Sequence, residues 1–276
     1  MDIPSLYYIA RQELVINIRN KWTVIFAVAF GILVVSISSI GIRTEGFSGM
    51  QDFIRTTASL LNLVLYIVPL VALTMGTLSF TGDKGSAELL FSQPFSRAEV
   101  LIGKWLGVFF SMALSSLMGF SLAGIIVVAA NGLEGLARYL SFVILSLALS
   151  LVFLSLAVLI ATASRRKSRA FGIGLSAWFF FVLLYDLLCL GGSLMFKGQS
   201  ANTFLFLSLF GNPVDMVRVA TLILLDNVTI FGAAGAAMLR FLGGVTSSIL
   251  LLVAGLLMWV CAPLILSARL ISRQDL

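Results

Sequence analysis

The sequence predicts an all-α protein that crosses a membrane six times. Its composition, its uncharged runs and the distribution of its basic residues carry this prediction. Of the 276 residues, 60% are hydrophobic and 11% are charged, and the mean hydropathy is +1.09. A soluble domain of this size has no interior for so much apolar surface, so much of the chain faces lipid.

Six apolar runs each reach the ~20 residues that a helix needs to cross a bilayer core. We expect spans at about 22–42, 56–81, 101–130, 138–163, 170–191 and 244–267. The fifth run is interrupted only by Asp186. Residues 1–276 then form a single transmembrane domain.

The basic residues mark one side of the membrane. Twelve of the 18 Lys and Arg residues lie near the N-terminus, in 82–104, in 164–169 and after Ala268. Six spans place all four clusters on one side, which the positive-inside rule assigns to the cytoplasm. Both termini are then cytoplasmic, and the first 21 residues contain no apolar block of signal-peptide length.

The segment 4–20 precedes the first span and is predicted to be an elbow helix in the cytoplasmic interface. Most of its apolar side chains share one face, namely Ile3, Leu6, Tyr7, Ala10, Leu14 and Ile18. Ile9 and Ile16 lie on the opposite face among polar residues, so the amphipathic pattern is moderate. The alternative is a helix that only extends the first span.

The segment 82–100 joins the second and third spans on the cytoplasmic side. The apolar residues 89–91 make it too hydrophobic for a solvated linker, and Pro94 ends any helix before it. Ser96 and Glu99 have the spacing of a capping box, which predicts the start of the next helix. We expect a short amphipathic helix on the membrane surface here, facing a soluble partner.

Small residues recur at every fourth position of the third span, namely Gly103, Gly107, Ser111, Ser115, Gly119 and Ala123. Such a stripe lets another helix approach closely. The neighbour is either a helix of a second copy or one of the same chain, and the pattern fits both.

The loop after the fourth span, 164–169, carries four positive charges in five residues. Attraction to anionic lipid is a sufficient explanation of this cluster. A second interpretation is that the loop also touches the soluble partner.

Asp186 lies in the outer half of the fifth span. A carboxylate at membrane depth is unfavourable unless it is protonated, hydrated or paired. We consider two roles for it, a gate or substrate contact and a structural hydrogen bond to a neighbouring helix or the outer loop.

The residues 192–243 are predicted to form an outer segment that lies in the interface. A helix should begin at 212–213, with Asp215 near its N-terminus, where the helix dipole favours a carboxylate. The alternative is a seventh span with Asp226 at membrane depth, which would place the C-terminus outside.

Several kinds of chemistry are excluded. The chain contains no histidine, which removes HExxH zinc sites, Ser-His or Cys-His catalysis and histidine-ligated haem. No P-loop motif occurs either. What remains is transport, driven either from elsewhere or by an ion gradient. We therefore predict a transport protein that is not an enzyme, binds no metal or cofactor itself and does not bind nucleic acid.

Three stretches together resemble the permease subunits of ABC-2, or type V, exporters. They are IARQEL, FTGDKGSAELLFSQPFSRAEVLIGKWLG and GNPVDMVRVATLI. The resemblance covers nearly the whole length. Within the family, LLFSQPFSRAEVLIGK and GIGLSAWFFFVLLYDLL are most similar to members that serve the maturation of nitrous oxide reductase.

The resemblance implies a separate ATPase, which binds ATP and magnesium, and a second copy of this chain. The first coupling helix would dock on that ATPase through Asp83, Lys84, Glu88, Leu89, Leu90 and Phe91. The second coupling segment would use Arg165, Arg166 and Lys167. A periplasmic protein would contact the outer segment at Asn212, Pro213, Asp215 and Arg218.

The implied role is transport or conformational signalling across the inner membrane during assembly of a copper–sulfur centre. Cu(I) favours clustered thiolates or thioethers, but Cys189 and Cys261 are isolated in the sequence. A sulfur species, or motion alone, is therefore favoured over copper. The alternatives are an ABC-2 exporter of a drug, lipid or polysaccharide and, less favoured because no internal repeat is seen, an ion-coupled transporter that uses Asp186.

Overall fold

The computed structural model describes residues 3–42, 49–81, 96–131, 136–164, 166–196, 198–225 and 244–272. Their regular structure is helical throughout. The helices are α1 Ile3–Ile18, α2 Lys21–Ile42, α3 Gly49–Phe80, α4 Arg97–Asn131, α5 Leu136–Ala163, α6 Lys167–Phe179, the π segment Phe180–Leu184, α7 Tyr185–Ser193, α8 Gln199–Leu209, α9 Pro213–Leu224 and α10 Val245–Ser272.

Six stretches of these helices are long and apolar enough to cross a membrane, which confirms the predicted number of spans. They are Lys21–Ser39, Thr56–Phe80, Arg97–Ile126, Leu136–Ala163, Lys167–Ser193 and Val245–Ser272. The fifth span is composite, since α6, the π segment and α7 follow one another without a break.

The core of the bundle lies between α2, α3, α4 and α5. Phe30, Phe120 and Phe142 come from three of these helices and are nearly fully buried. Their rings meet edge to face, with centroids 5.2 Å apart for the first pair and 5.7 Å for the second. Such aromatic pairs contribute about 0.5–1.5 kcal/mol each beyond their burial.

The third span begins with the predicted capping box. The backbone N–H of Ser96 donates to Oε2 of Glu99 at 3.0 Å, and the backbone N–H of Glu99 donates to Oγ of Ser96 at 3.3 Å. Both bonds satisfy donors that a helix start leaves free. The helix accordingly starts at Arg97.

The elbow helix α1 packs along α4. Its buried apolar residue is Ile9, whereas Tyr7 and Ile18 on the predicted apolar face are exposed. The carbonyl of Ala10, on the same predicted face, lies against Gly107, so that face is divided between contact with α4 and an external surface. This arrangement suits a helix lying along a membrane interface.

The helices α8 and α9 meet at an angle of 104° across a short break. Nine of the 12 residues of α9 are buried, and α9 packs against α3, α5 and α10. Within the chain, the predicted outer segment 192–243 therefore contains a helix that is largely buried. The helix is apolar on most sides, and its two charged residues pair with each other and with Asp186.

Two predicted features lie outside the described residues. They are the first coupling segment with residues 83–91 and the Asp226 region of the outer segment.

Candidate functional site

The start of α9 is fixed by Asn212, as the sequence predicted. The Asn212 backbone is extended, Pro213 occupies the first helical turn, and Oδ1 of Asn212 accepts from the Val214 N–H at 3.0 Å. Asparagine and proline are both favoured at these positions. The side-chain nitrogen Nδ2 of Asn212 remains free to bind elsewhere.

Asn212 uses that nitrogen to link α9 to the fifth span. Its Nδ2 donates to the backbone oxygen of Phe181 at 2.9 Å and to Oδ2 of Asp215 at 2.9 Å. Phe181 belongs to the π segment, whose altered backbone pattern redirects carbonyls that an α-helix would use internally. The asparagine therefore stabilises both the helix start and the irregular turn beside it.

Arg218 joins two carboxylates through one nitrogen. Its Nη1 donates to Oδ1 of Asp215 at 2.7 Å and to Oδ2 of Asp186 at 3.0 Å. The Asp215 side chain is 16% exposed and that of Asp186 is 41% exposed. We call Asp186, Asn212, Asp215 and Arg218 the ion-pair cluster; formally it carries one net negative charge.

The bend between α8 and α9 is held by two further side-chain hydrogen bonds. The Tyr185 hydroxyl donates to the Ser208 carbonyl at 2.6 Å, and Nε1 of Trp259 donates to the Phe210 carbonyl at 3.0 Å. Carbonyls at the end of a helix lack intrahelical partners, so these donors satisfy the end of α8. A side chain at Gly211 would collide with the Tyr185 hydroxyl.

These contacts bear on both roles considered for Asp186. Asp186 makes the expected structural bond to a neighbouring helix, and its partner is Arg218. Its exposed fraction leaves one side of the carboxylate open. The pair of Asp186 and Arg218 was not predicted from the sequence. The available signal was that Arg218 is the only basic residue between Lys197 and Arg240.

The residues expected to contact an outer partner are not on a free surface. Asn212 and Pro213 are buried, Asp215 is largely buried and Arg218 is 30% exposed. Their side chains serve the ion-pair cluster or the packing of α9 instead.

The first two glycines of the stripe in the third span face α1 of the same chain, whereas Gly119 faces α2. A Cβ on Gly103 would lie 2.8 Å from Cγ2 of Ile9, and one on Gly107 would lie 2.6 Å from the Ala10 carbonyl oxygen. Ser111, one turn further on, is fully buried. The close neighbour of Gly103 and Gly107 is thus the elbow helix.

The predicted second coupling segment leads directly into the fifth span. Arg166 is the extended residue before α6 and Lys167 is its first residue. Both are exposed, and Arg165 lies outside the described residues. From Lys167 to Asp186 the span advances about 28 Å at 1.5 Å per residue.

Metal ligands do not cluster in the described part of the chain. No group of three or more Cys, Asp, Glu or His side chains lies close enough there to hold an ion. Cys189 and Cys261 are both free thiols.

Comparison with known proteins gives a consistent assignment. The family model for "ABC-2 family transporter protein" matches residues 7–276. The chain is 33% identical over 283 residues to "Probable ABC transporter permease protein NosY" of Pseudomonas aeruginosa, an alignment that covers 99% of this chain and 100% of the relative. It is 32% identical over 280 residues to the protein of the same name from Stutzerimonas stutzeri, covering 98% and 99%.

Proposed function

Because this chain belongs to the ABC-2 family of transporter proteins, we propose that it is a NosY-like permease subunit acting in the maturation of nitrous oxide reductase. A permease component of this kind is not itself catalytic. In this proposal a NosF-like subunit binds ATP and magnesium and hydrolyses the ATP. Two copies of this chain form the membrane part, both termini are in the cytoplasm, and a NosD-like protein docks from the periplasm.

The observation that carries the mechanism is the path of the fifth span. It starts beside the cationic loop with Arg166 and Lys167, and it reaches the ion-pair cluster at Asp186. A push on the loop by an ATPase would therefore move Asp186, and with it α9, since Arg218 and Asn212 bind this span at two places. Rigid-body movement of packed helices is a common way to transmit such motion.

A second copy would cover the fifth span. Only 11% of the most apolar stretch of this span is buried within the chain, whereas 61% of the corresponding stretch is buried in the span Leu136–Ala163. Asp186 is on this poorly covered helix, and a half-exposed carboxylate facing lipid would be unfavourable. We place the dimer contact and the gate along this helix, with Asp186 at the gate.

Contacts with the ATPase would come from the two coupling segments. The first is 82–100, where Asp83, Lys84 and Glu88 supply charge and Leu89, Leu90 and Phe91 supply an apolar ridge. The second is 164–169, with Arg165, Arg166 and Lys167.

The cargo is inferred from the ligand chemistry of the chain. The two cysteines are free and the described residues contain no group of three or more His, Cys, Asp or Glu side chains that could hold an ion, whereas Cu(I) carriage needs several soft ligands together. We propose that a sulfur species, or motion alone, crosses the membrane through this subunit.

Co-purification tests the proposal. The chain carrying an affinity tag should be isolated from native membranes, and the soluble ATPase and the periplasmic protein that accompany it should be identified by mass spectrometry. We expect an ABC ATPase in equal amount and a partner needed for nitrous oxide reductase. Recovery of transport by the purified chain alone, without nucleotide, would contradict the proposal.

A further inference from the structure

A cavity of about 610 Å³ with both polar and apolar lining lies beside the elbow helix, at the end of the bundle opposite the ion-pair cluster. Its lining comes from α1 and from the terminal turns of four spans. Trp22 begins the first, Met75, Leu78 and Ser79 end the second, Val100 and Lys104 begin the third, and Lys167 begins the fifth. Terminal turns of spans lie at the level of lipid headgroups, so the cavity lies at that level too.

Among the described charged side chains that line the cavity, one cation has no anionic partner. Nζ of Lys104 lies 3.8 Å from Oε1 of Glu13, and the same carboxylate accepts from Oγ of Ser79 at 2.7 Å and from Nδ2 of Asn17 at 3.0 Å. Oε1 of Glu13 therefore has three polar partners. Lys167 has no ion-pair partner among the described residues, and the described lining carries two positive charges and one negative charge.

The cavity continues towards the outside of the bundle. A neighbouring open groove of about 730 Å³ shares Leu78 and Lys167 with it and adds Arg166, Ser168 and Phe171. Phe171 is 39% exposed. One end of the groove is therefore cationic and carries a hydroxyl group, and the other end is an apolar flank of the fifth span. This order matches a phospholipid, whose phosphate would meet the cationic end and whose acyl chain would meet the apolar flank.

We infer that this cavity and groove bind an anionic phospholipid of the adjacent leaflet, with its phosphate between Lys167 and Lys104 and an acyl chain along Leu78 and Phe171. Lys167 has no ion-pair partner in the described part of the chain, Arg166 is a second cation beside it, and an apolar exit lies at headgroup depth. This juxtaposition supports a lipid as the occupant. This inference goes beyond the proposed transport role. Arg166 and Lys167 also belong to the proposed second coupling segment, so the test below measures lipid retention by this chain without the ATPase.

Native mass spectrometry of the purified full chain in detergent tests the inference. The probes are dioleoyl phosphatidylglycerol and dioleoyl phosphatidylcholine, offered at equal concentration. We expect phosphatidylglycerol to be retained more strongly than phosphatidylcholine, by about fivefold for each lysine of the cavity that contacts the headgroup. This factor corresponds to one basic residue near an anionic headgroup. Equal retention of the two lipids would overturn the inference.

The variants separate this site from general attraction to positive charge. Lys167→Ala should lower phosphatidylglycerol retention about fivefold, and Lys104→Gln should lower it in the same direction. Arg169→Ala is the matched control, since Arg169 is an exposed cation in the same helical turn that lines neither cavity. Equal losses in Lys167→Ala and Arg169→Ala would overturn the site, as would full retention in both cavity variants.

Excess inorganic phosphate distinguishes a lipid from a free anion. A lipid held also by its acyl chain should remain bound when phosphate is added at high concentration, provided ionic strength is matched with chloride. Release of phosphatidylglycerol by phosphate but not by chloride would assign the cavity to a small free anion and would overturn the lipid inference.

Discussion

Asp186 and Arg218 are 32 positions apart in the sequence, and their side chains meet at 3.0 Å between Oδ2 and Nη1. The bond joins the fifth span to α9, the buried arm of the bent helix pair. Because Arg218 also binds Asp215 at 2.7 Å, both carboxylates share a single guanidinium. The predictions below start from this dependence.

Replacing Arg218 by Met should destabilise the protein. The substitution leaves Asp186 and Asp215 close together without a cation, and removing one partner of a fully buried pair costs about 3–5 kcal/mol. Because Asp186 is 41% exposed, we expect a smaller loss of about 2 kcal/mol in the free energy of unfolding. Unfolding in mixed micelles with increasing dodecyl sulfate measures it.

A double-mutant cycle shows whether that loss comes from the ion pair. Asp186→Asn and Arg218→Gln should be measured singly and together, and residues in one network show coupling of about 0.5–3 kcal/mol. Additive effects within the error of measurement would mean that Asp186 and Arg218 do not interact.

Replacing Asn212 by Ala should also destabilise the protein, by about 1–2 kcal/mol, because it removes a helix cap and leaves the Phe181 carbonyl without its donor. Asn202→Ala is the control on the other arm of the bent pair; its side chain is half-buried. The same detergent titration compares the two. Equal stability of the two variants would show that the Asn212 bonds contribute nothing.

Replacing Gly107 by Ala should disturb the elbow helix. The new Cβ would lie 2.6 Å from the Ala10 carbonyl oxygen, a backbone atom that cannot rotate away. Overpacking of this kind costs about 1–3 kcal/mol. Gly172→Ala is the matched control, since nothing lies within 4 Å of its Cβ, and a helical Gly→Ala change in open space is stabilising by up to about 1 kcal/mol.

Replacing both Glu88 by Lys and Leu89 by Trp should uncouple the ATPase from the membrane subunit in the proposed complex. The charge reversal and the added bulk fall on the predicted docking ridge, so we expect a loss of about tenfold in the stimulation of ATP hydrolysis, corresponding to about 1.4 kcal/mol of lost interaction. ATPase assays of the reconstituted complex measure it. Glu134→Lys lies between the third and fourth spans, on the side of the membrane opposite 82–100, and should leave the stimulation unchanged. An equal loss in this variant would mean that 82–100 is not the docking segment.

Local signals in the sequence predicted much of the fold. Apolar run length gave six spans, Ser96 and Glu99 gave the start of α4, and Asn212 with Pro213 gave the start of α9. Each of these depends on neighbours within a few residues, or on the fixed thickness of a bilayer, and needs no knowledge of the remaining chain.

Pairing between distant segments could not be read in the same way. The charges of Asp215 and Arg218 suggested a helix lying in the interface, and nothing near them in the sequence identified Asp186 as a further partner of Arg218. Likewise, the stripe with Gly103 and Gly107 predicted a close neighbour without identifying it, because small residues fit any helix that approaches. The five-residue π segment left no periodic signal at all.

That π segment changes how the fifth span must be numbered around its axis. A π turn accommodates about one extra residue, which rotates everything after it by about 100° relative to a continuous α-helix. A helical wheel drawn from Lys167 through Ser193 with one uniform period therefore places Asp186 on the wrong face of the helix. When the solvent accessibility of each side chain is measured along this span, it should vary with one helical periodicity up to Phe179. From Tyr185 onward the same periodicity should be offset in angle.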